Sequence, residues 1–407
     1  MFKYERNEWL NKGETGAIPI SPDNLNRMEL GILGALHEIN SVNFENLVIQ
    51  RISSSCEWVA PKAHNNTFKI LCGGGGGGGG YAAKIENYVS IGAGGGGGGY
   101  LTFKEVEIPA GTTVDIICGA GGAASTNGGT TYFGNDGDEY YVYAEGGERG
   151  GDSDITNKQA GKGGDGVAGG GGGSAIAVTV NLSNMTKYRD IAPGDGGKGS
   201  LFGGGGAGVA ILNKQISYNT DKHYVSKIGQ PGSGGKYGGD GGDFNEGAKP
   251  SRETPLSFLE LLFDISTLKT YVPYVGGEKG YGSGGVFSNG GKMYSWTSGL
   301  HCGSGGGGGF FGNGGAGAAE YGAGGGGGGY RCSGGGGGSG KVGDNWDEPI
   351  TNGGGGGGFF GYGAAGGAFN YGGGGGGFFC NASDSKGGDG GVLIMYVKPN
   401  PSEEEDE

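Results

Sequence analysis

Histidines, cysteines and clustered carboxylates are the side chains best suited to nucleophilic, acid–base or metal chemistry, and their spacing in this chain points away from all three. The four histidines (His37, His64, His223 and His301) show no ligand spacing, and none stands in a recognisable nucleophile, base and acid set. The six cysteines (Cys56, Cys72, Cys118, Cys302, Cys332 and Cys380) contain no CxxC pair. The opening MFKYERNEWL lacks an apolar signal core, so the expected compartment is a reducing cytosol. The cysteines then read as reduced, mostly buried small apolar residues, with disulfides the alternative.

Phosphate and calcium patterns fail on context. GDGGKGS from Gly194 has no serine or threonine directly after its lysine and no strand-to-helix switch. The acidic stretches around Asp136 and Asp138, and around Asp240 and Asp243, miss the EF-hand spacing and the calcium-binding nonapeptide repeat, which leaves calcium a minor alternative. Paired carboxylates for glycoside cleavage can lie far apart in sequence, so a polysaccharide depolymerase stays a minority reading. The expectation is a non-enzymatic chain without cofactor or metal.

Aromatic side chains carry the remaining chemistry, which is recognition. Tyrosine and tryptophan join a large apolar area to a polar handle, and Tyr330, Trp346, Tyr362 and Tyr371 lie among glycine runs where such a surface could form. Tyr274 and Trp296 belong to or adjoin an insert from about Asn213 to Met293, rich in tyrosine and charge, which reads as polar loops. The plainer role for run-end aromatics (Tyr81, Tyr100, Phe310, Phe311, Tyr330, Phe359, Phe360, Phe378 and Phe379) is to plug the ends of whatever the glycines build.

Glycine supplies 111 of 407 residues and proline only 12. Collagen is excluded because the glycines come in unbroken runs such as Gly73 to Gly80 rather than every third position. A disordered linker is the ordinary reading of such composition. Against it stand 17 Phe, 21 Tyr and 4 Trp, and a register. Runs begin at Gly305, Gly324, Gly334, Gly353 and Gly372, spaced by 19, 10, 19 and 19 residues, with aromatics directly after several of them.

Consecutive glycines make neither a stable α-helix nor a strand with anything to pack. The polyproline II geometry suits them: three residues per turn, about 3.1 Å rise, and every amide left to bond a neighbour. Lacking Cβ atoms, such helices can approach closely and bundle. The YRCS connector from Tyr330 to Ser333 is short enough to reverse the chain directly, which would set successive runs antiparallel.

Three segments follow. Residues 1–45 hold the one helix signal: Ser21 caps, Pro22 takes the first position, and Leu25, Met28, Ile32, Leu36 and Ile39 form an apolar stripe. A stripe on so short a helix needs another surface, whether its own domain, a second copy or a different protein. Residues 46–399 read as short strands around the glycine-rich middle: ENLVIQRI, CEWVAP, NTFKILC, YLTFKEVEI, a PAGTT turn, VDIIC, and a closing GVLIMYVKP near the first strand. Residues 400–407 are a solvated acidic tail. The fold class is mainly β and irregular: a short N-terminal α-helix, and β-sandwich-like strands framing a bundle of polyglycine II helices. A net charge of -13 speaks against nucleic acid, and no segment has the roughly 20 apolar residues of a membrane span.

The segment from Pro19 to Ile32, PISPDNLNRMELGI, resembles an amino-terminal pattern common in bacteriophage tail and tail-fibre proteins. The body, from CEWVAP through FKILCGGGGGGGG and PAGTTVDIICGAGG to GGDGGVLIMYV, is similar to the glycine-rich domain of phage tail fibres and adhesins. That resemblance implies a polyglycine II bundle with variable loops that bind the host surface. It implies a virion tail location after synthesis in the host cytoplasm, attachment to other tail or baseplate proteins through the N-terminal segment, and a bacterial surface polysaccharide or protein as receptor. A purely structural tail or baseplate part is the alternative.

Overall fold

A computed structural model of the chain describes residues 46–82, 84–85, 89–154, 156–157, 159–167, 172–173, 176–180, 192–206, 208–215, 221–235, 238–242, 305–306, 309, 312–317, 323–330, 332–337, 340–341, 349–350, 352–366 and 371–399. The N-terminal helix with its stripe Leu25, Met28, Ile32, Leu36 and Ile39, and the acidic tail, lie outside the described residues. So do Tyr274, Trp296 and Trp346.

The described chain is mainly β, with one short 3-10 turn at His64–Asn66. Alternation of apolar and polar residues builds two four-stranded antiparallel sheets. The first contains β1 (Leu47–Ile52), β3 (Thr67–Gly73), β6 (Leu101–Glu107) and β15 (Gly391–Val397), in the order β1-β15-β3-β6. The second contains β2 (Cys56–Val59), β7 (Thr113–Ile117), β8 (Thr131–Phe133) and β9 (Val142–Ala144), in that order. The first and last strands are direct neighbours, Leu47 facing Val397. The PAGTT turn leads from β6 to β7, and Gly111 takes φ +82 there, a conformation that costs any residue with a Cβ.

One face of each sheet meets the other in a shared core. Trp58, Phe68, Ile70, Val114, Ile116, Phe133, Val392 and Ile394 are buried in it. Trp58 packs edge-on to Phe68 at 5.3 Å, and its indole nitrogen donates to Gln50 Oε1 at 2.8 Å. Each large apolar side chain fully buried this way contributes about 1.5–3 kcal/mol. The second half of β3 is buried on both faces, because Leu71 points away from this core into a separate aromatic cluster.

That cluster is the junction with the glycine-rich body. Phe202, Phe359 and Phe378 are almost fully buried, and Phe360, Tyr330, Tyr100 and Leu393 pack against them. Phe359 stacks on Phe378 at 5.1 Å, and Phe378 meets Phe379 edge-on at 4.4 Å. Arg51 sits 4.0 Å over the Phe379 ring.

Beyond the junction the glycine runs bond to one another with a period of three. In the run that leaves β3, the amides of Gly74, Gly77 and Gly80 donate to the carbonyls of Tyr100, Gly97 and Gly94. Those of Gly75 and Gly78 donate to Gly129 and Thr126, and those of Gly76 and Gly79 to Gly388 and Ser385. The run accepts from three further directions: Gly75 and Gly78 from Gly147 and Gly150, Gly76 and Gly79 from Gly122 and Ser125, and Gly77 and Gly80 from Gly375 and Gly372. Six neighbouring segments surround it, at N···O distances of 2.7–3.0 Å. The run at 352–358 repeats the pattern, donating in pairs to Ala93 and Gly96, to Gly324 and Gly327, and to Ala364 and Gly361.

Only glycine permits this spacing. A Cβ built on Gly77 would lie within 3.0 Å of the Glu148 carbonyl, and one on Gly96 would lie as close to the carbonyl of Gly77. The chain reverses at 330–333 as expected: Gly329 donates to Cys332 and Gly326 to Gly335. A third sheet, in the order β12-β11-β10-β5-β4, lies where the runs end away from the sandwich. Its strands are β4 (Lys84–Ile85), β5 (Val89–Ile91), β10 (Ile176–Val180), β11 (Val209–Gln215) and β12 (Asp221–Ile228), and only β10 and β11 pair in parallel. A two-stranded ribbon of β13 (Gly340–Lys341) and β14 (Pro349–Ile350) completes the described elements.

Two expectations need correction. The insert from Asn213 does not begin as a loop: residues 213–215 and 221–228 are strand, and 229–235 return to glycine-type bonding with Gly229 donating to Gly208. Residues 221–228 pair antiparallel with β11 along seven register positions, and that ladder outweighs the polar composition. Nor are the cysteines mostly buried. All five described are free, but only Cys72 and Cys332 are buried, Cys118 and Cys380 are half-buried, and Cys56 is exposed at the start of an edge strand. Burial raises the Cys72 and Cys118 thiols, the latter to about 11, so neither is a ready thiolate at neutral pH.

Candidate functional site

The two ends of the glycine-rich body differ in chemistry. At the sandwich end the run-end aromatics are mostly buried phenylalanines, with Tyr100 and Tyr330 half-buried among them. At the far end they are tyrosines in contact with water. Tyr81 ends the first run and Tyr371 precedes the run at 372–378; the two bridge through their backbones and meet edge-to-face at 5.4 Å. They are 42% and 38% exposed, so the pair is a surface feature.

A polar group supports the pair from beneath. Asp152 Oδ1 accepts from the Tyr81 amide at 2.7 Å and from Ser125 Oγ at 2.6 Å, while Asp152 Oδ2 accepts from Arg149 at 2.6 Å. Partial burial works to raise the Asp152 pKa. The bonds from Ser125, the Tyr81 amide and Arg149 outweigh it and hold the carboxyl below its ordinary value. The carboxylate therefore fixes Tyr81 in place, and Arg149, bonded to its other oxygen, stays partly exposed.

The described residues that flank four intervening segments lie at this end. Gly242 donates to the carbonyl of Gly305 at 2.7 Å, which joins the two ends of the segment 243–304 at the end away from Phe202. Residues flanking 181–191, 342–348 and 367–370 (Val180 and Ala192, Lys341 and Pro349, Gly366 and Tyr371) also lie at the far end. Of the aromatics singled out by sequence, Tyr274 and Trp296 belong to 243–304 and Trp346 to 342–348.

The remaining candidates fall elsewhere. Tyr330 is half-buried in the junction cluster, stacked on Phe359 at 4.6 Å, and Tyr371 and Tyr330 are therefore at opposite ends of the body. Tyr362 is 50% exposed on the side, its amide donating to Asn381 Oδ1 at 3.0 Å and its carbonyl accepting from Ala382.

One aromatic group escaped the sequence reading. Tyr132 on β8 faces Tyr143 on β9, and Tyr141 joins them in a triangular cluster of near-parallel rings with centroids 5.7–6.5 Å apart. Strands of three residues are too short to show alternation, although the repeated Tyr-x-Tyr was a usable signal. Lys104 Nζ donates to the carbonyls of Glu139 and Tyr141, holding the hairpin against β6. Burial first, and then the Asp136 carboxylate, push the Tyr141 phenol above its ordinary value.

Among the described residues no three His, Cys, Asp or Glu side chains come together as metal ligands would, and no helix is long and apolar enough to cross a membrane. The described arrangement offers aromatic surface and hydrogen-bond donors, which suit binding. Compared with known proteins, the chain matches no family model and no curated protein.

Proposed function

We propose that this chain is a phage tail attachment protein that binds the bacterial surface without catalysis, presenting its receptor-binding loops at the far end of a stiff polyglycine II bundle. The observation that carries the reading is the polarity of the glycine-rich body: one end is closed against a sandwich by an aromatic cluster of mostly buried phenylalanines, and the other exposes Tyr81 and Tyr371.

The period-three bonding to six neighbours supports the polyglycine II part, because a threefold helix directs successive amides about 120° apart. A bundle bonded in every direction across its axis resists bending, which suits a part that must hold loops away from a particle. Sandwich strands β1 and β15 bring both ends of the described body together, opposite Tyr81 and Tyr371, and the apolar stripe of residues 1–45 can serve attachment to a neighbouring tail protein. The receptor is a surface polysaccharide or protein, for which exposed tyrosines and a partly exposed guanidinium are suitable contacts.

The test is adhesion of the fluorescently labelled full chain to a panel of bacterial strains, beside a variant in which 243–304 is replaced by a short glycine–serine bridge. Strain-selective adhesion that the replacement abolishes supports the reading. Adhesion to no strain, with the protein located on tail particles by immunogold labelling, would make it a structural tail part instead.

A further inference from the structure

The outer face of the second sheet carries a band the sandwich does not need. Ile117, Tyr132 and Tyr143 stand in one cross-strand row over β7, β8 and β9 on the face away from the core. Ile117 is 52% and Tyr143 47% exposed. Apolar and aromatic side chains aligned over three strands, with Tyr141 stacked beside them, form a continuous strip rather than scattered surface residues.

Beside the strip, Glu57 on β2 and Asp115 on β7 face each other directly in the register. Both are exposed. Like charges opposite one another on a sheet face destabilise it, so the chain keeps an arrangement that folding alone disfavours. Lys104, the cation bonded into the hairpin, already has the Glu139 and Tyr141 carbonyls as acceptors.

Charge decides between occupants. The chain's own N-terminal segment, residues 1–45, holds seven carboxylates (Glu5, Glu8, Glu14, Asp23, Glu29, Glu38, Glu45) against four basic residues (Lys3, Arg6, Lys12, Arg27), and the tail at 400–407 is acidic. A second copy brings its own net charge of -13. All three would meet like charge. We infer that this face docks a basic segment of a different protein, whose arginine or lysine heads lie against Glu57, Asp115 and the tyrosine rings while its apolar side chains cover Ile117. Cation–π contact and opposite charge then act on the same partner.

The test uses the full chain and two capped hexapeptides, one alternating arginine and valine and the other alternating glutamate and valine, followed by calorimetry and by the tyrosine ring signals in NMR. The arginine peptide binds and the glutamate peptide does not. The variants Tyr132→Ser with Tyr143→Ser, and Glu57→Lys with Asp115→Lys, each weaken binding by about tenfold or more. These four side chains lie on the solvent face, and unchanged thermal unfolding of the variants verifies that the sandwich is intact. Equal binding by all variants would mean attraction to net charge alone and would overturn the docking face. So would no binding at millimolar peptide, equal binding of the glutamate peptide, or a dimer of the full chain that Tyr143→Ser dissociates.

Discussion

Replacing Gly77 with alanine tests the glycine lattice at an enclosed point. A Cβ on Gly77 would overlap the carbonyl of Glu148 and crowd that of Gly147, both backbone groups that no rotamer change can move. The Glu148 carbonyl accepts from Gly97, and the same segment donates from Gly147 to Gly75 and from Gly150 to Gly78, each at 2.8 Å. Moving the segment aside therefore strains three bonds, each worth about 0.5–1.5 kcal/mol net. Overpacking adds about 1–3 kcal/mol, and the stiffer unfolded chain returns about 0.4–1 kcal/mol. The expected loss is about 2–6 kcal/mol of unfolding free energy. Gly336→Ala is the internal control, because its Cβ would meet only the Ala316 carbonyl, at 3.4 Å, and it should be neutral or slightly stabilising. Guanidinium unfolding of the two variants, followed by circular dichroism and intrinsic fluorescence, measures the difference. Losses equal within about 0.5 kcal/mol, the range of ordinary surface changes, would refute close packing of the runs.

Three further outcomes are expected. Phe378→Ala should cost about 3–5 kcal/mol in the same unfolding assay, because its ring is buried between Phe359 and Phe379 and covers Gly73. Thr131→Val keeps the shape but removes a buried hydroxyl that donates to the Gly73 carbonyl at 2.8 Å and accepts from the Gly119 amide at 3.0 Å; a loss of about 1–3 kcal/mol per orphaned group follows. Asp152 has a lowered folded pKa, so its contribution is present above the unfolded value near 4 and is lost as pH falls through the folded one. Its half-exposed setting limits that contribution to under about 1 kcal/mol. Tyr81 ring signals in NMR should broaden or shift in this acid window, and Asp152→Asn should abolish that dependence.

The sandwich was legible in the sequence because its strands are long enough to alternate. Phe68, Ile70 and Cys72 against Lys69, and Val114 and Ile116 against Asp115, reveal their faces without further help. The reversal at Tyr330 to Ser333 followed from connector length, and the paired neighbours bear it out. What the sequence hid was sorting between the ends: Tyr330 and Tyr371 look alike beside glycine runs, yet one stacks on Phe359 in the junction and the other lies beside Tyr81 at the opposite end. Run direction decides this, and glycines carry no side chain to record direction. The tyrosine cluster at 132, 141 and 143 was hidden for a different reason, since three-residue strands have too few positions to show a period. Residues 221–228 were masked by their charge, which suits a paired strand as well as a loop.

Amide hydrogen exchange by NMR on glycine-labelled full chain tests the stiff-support account most directly. Glycines 74–80, 94–97, 99, 353–358 and 372–377 have their amides bonded inside the lattice, whereas Gly137 sits in an exposed turn. Protection of the four runs by about a thousandfold or more over Gly137 is the predicted result. Exchange of those runs as fast as that of Gly137 would mean they are linkers, and the bundle and the attachment mechanism built on it would both be contradicted.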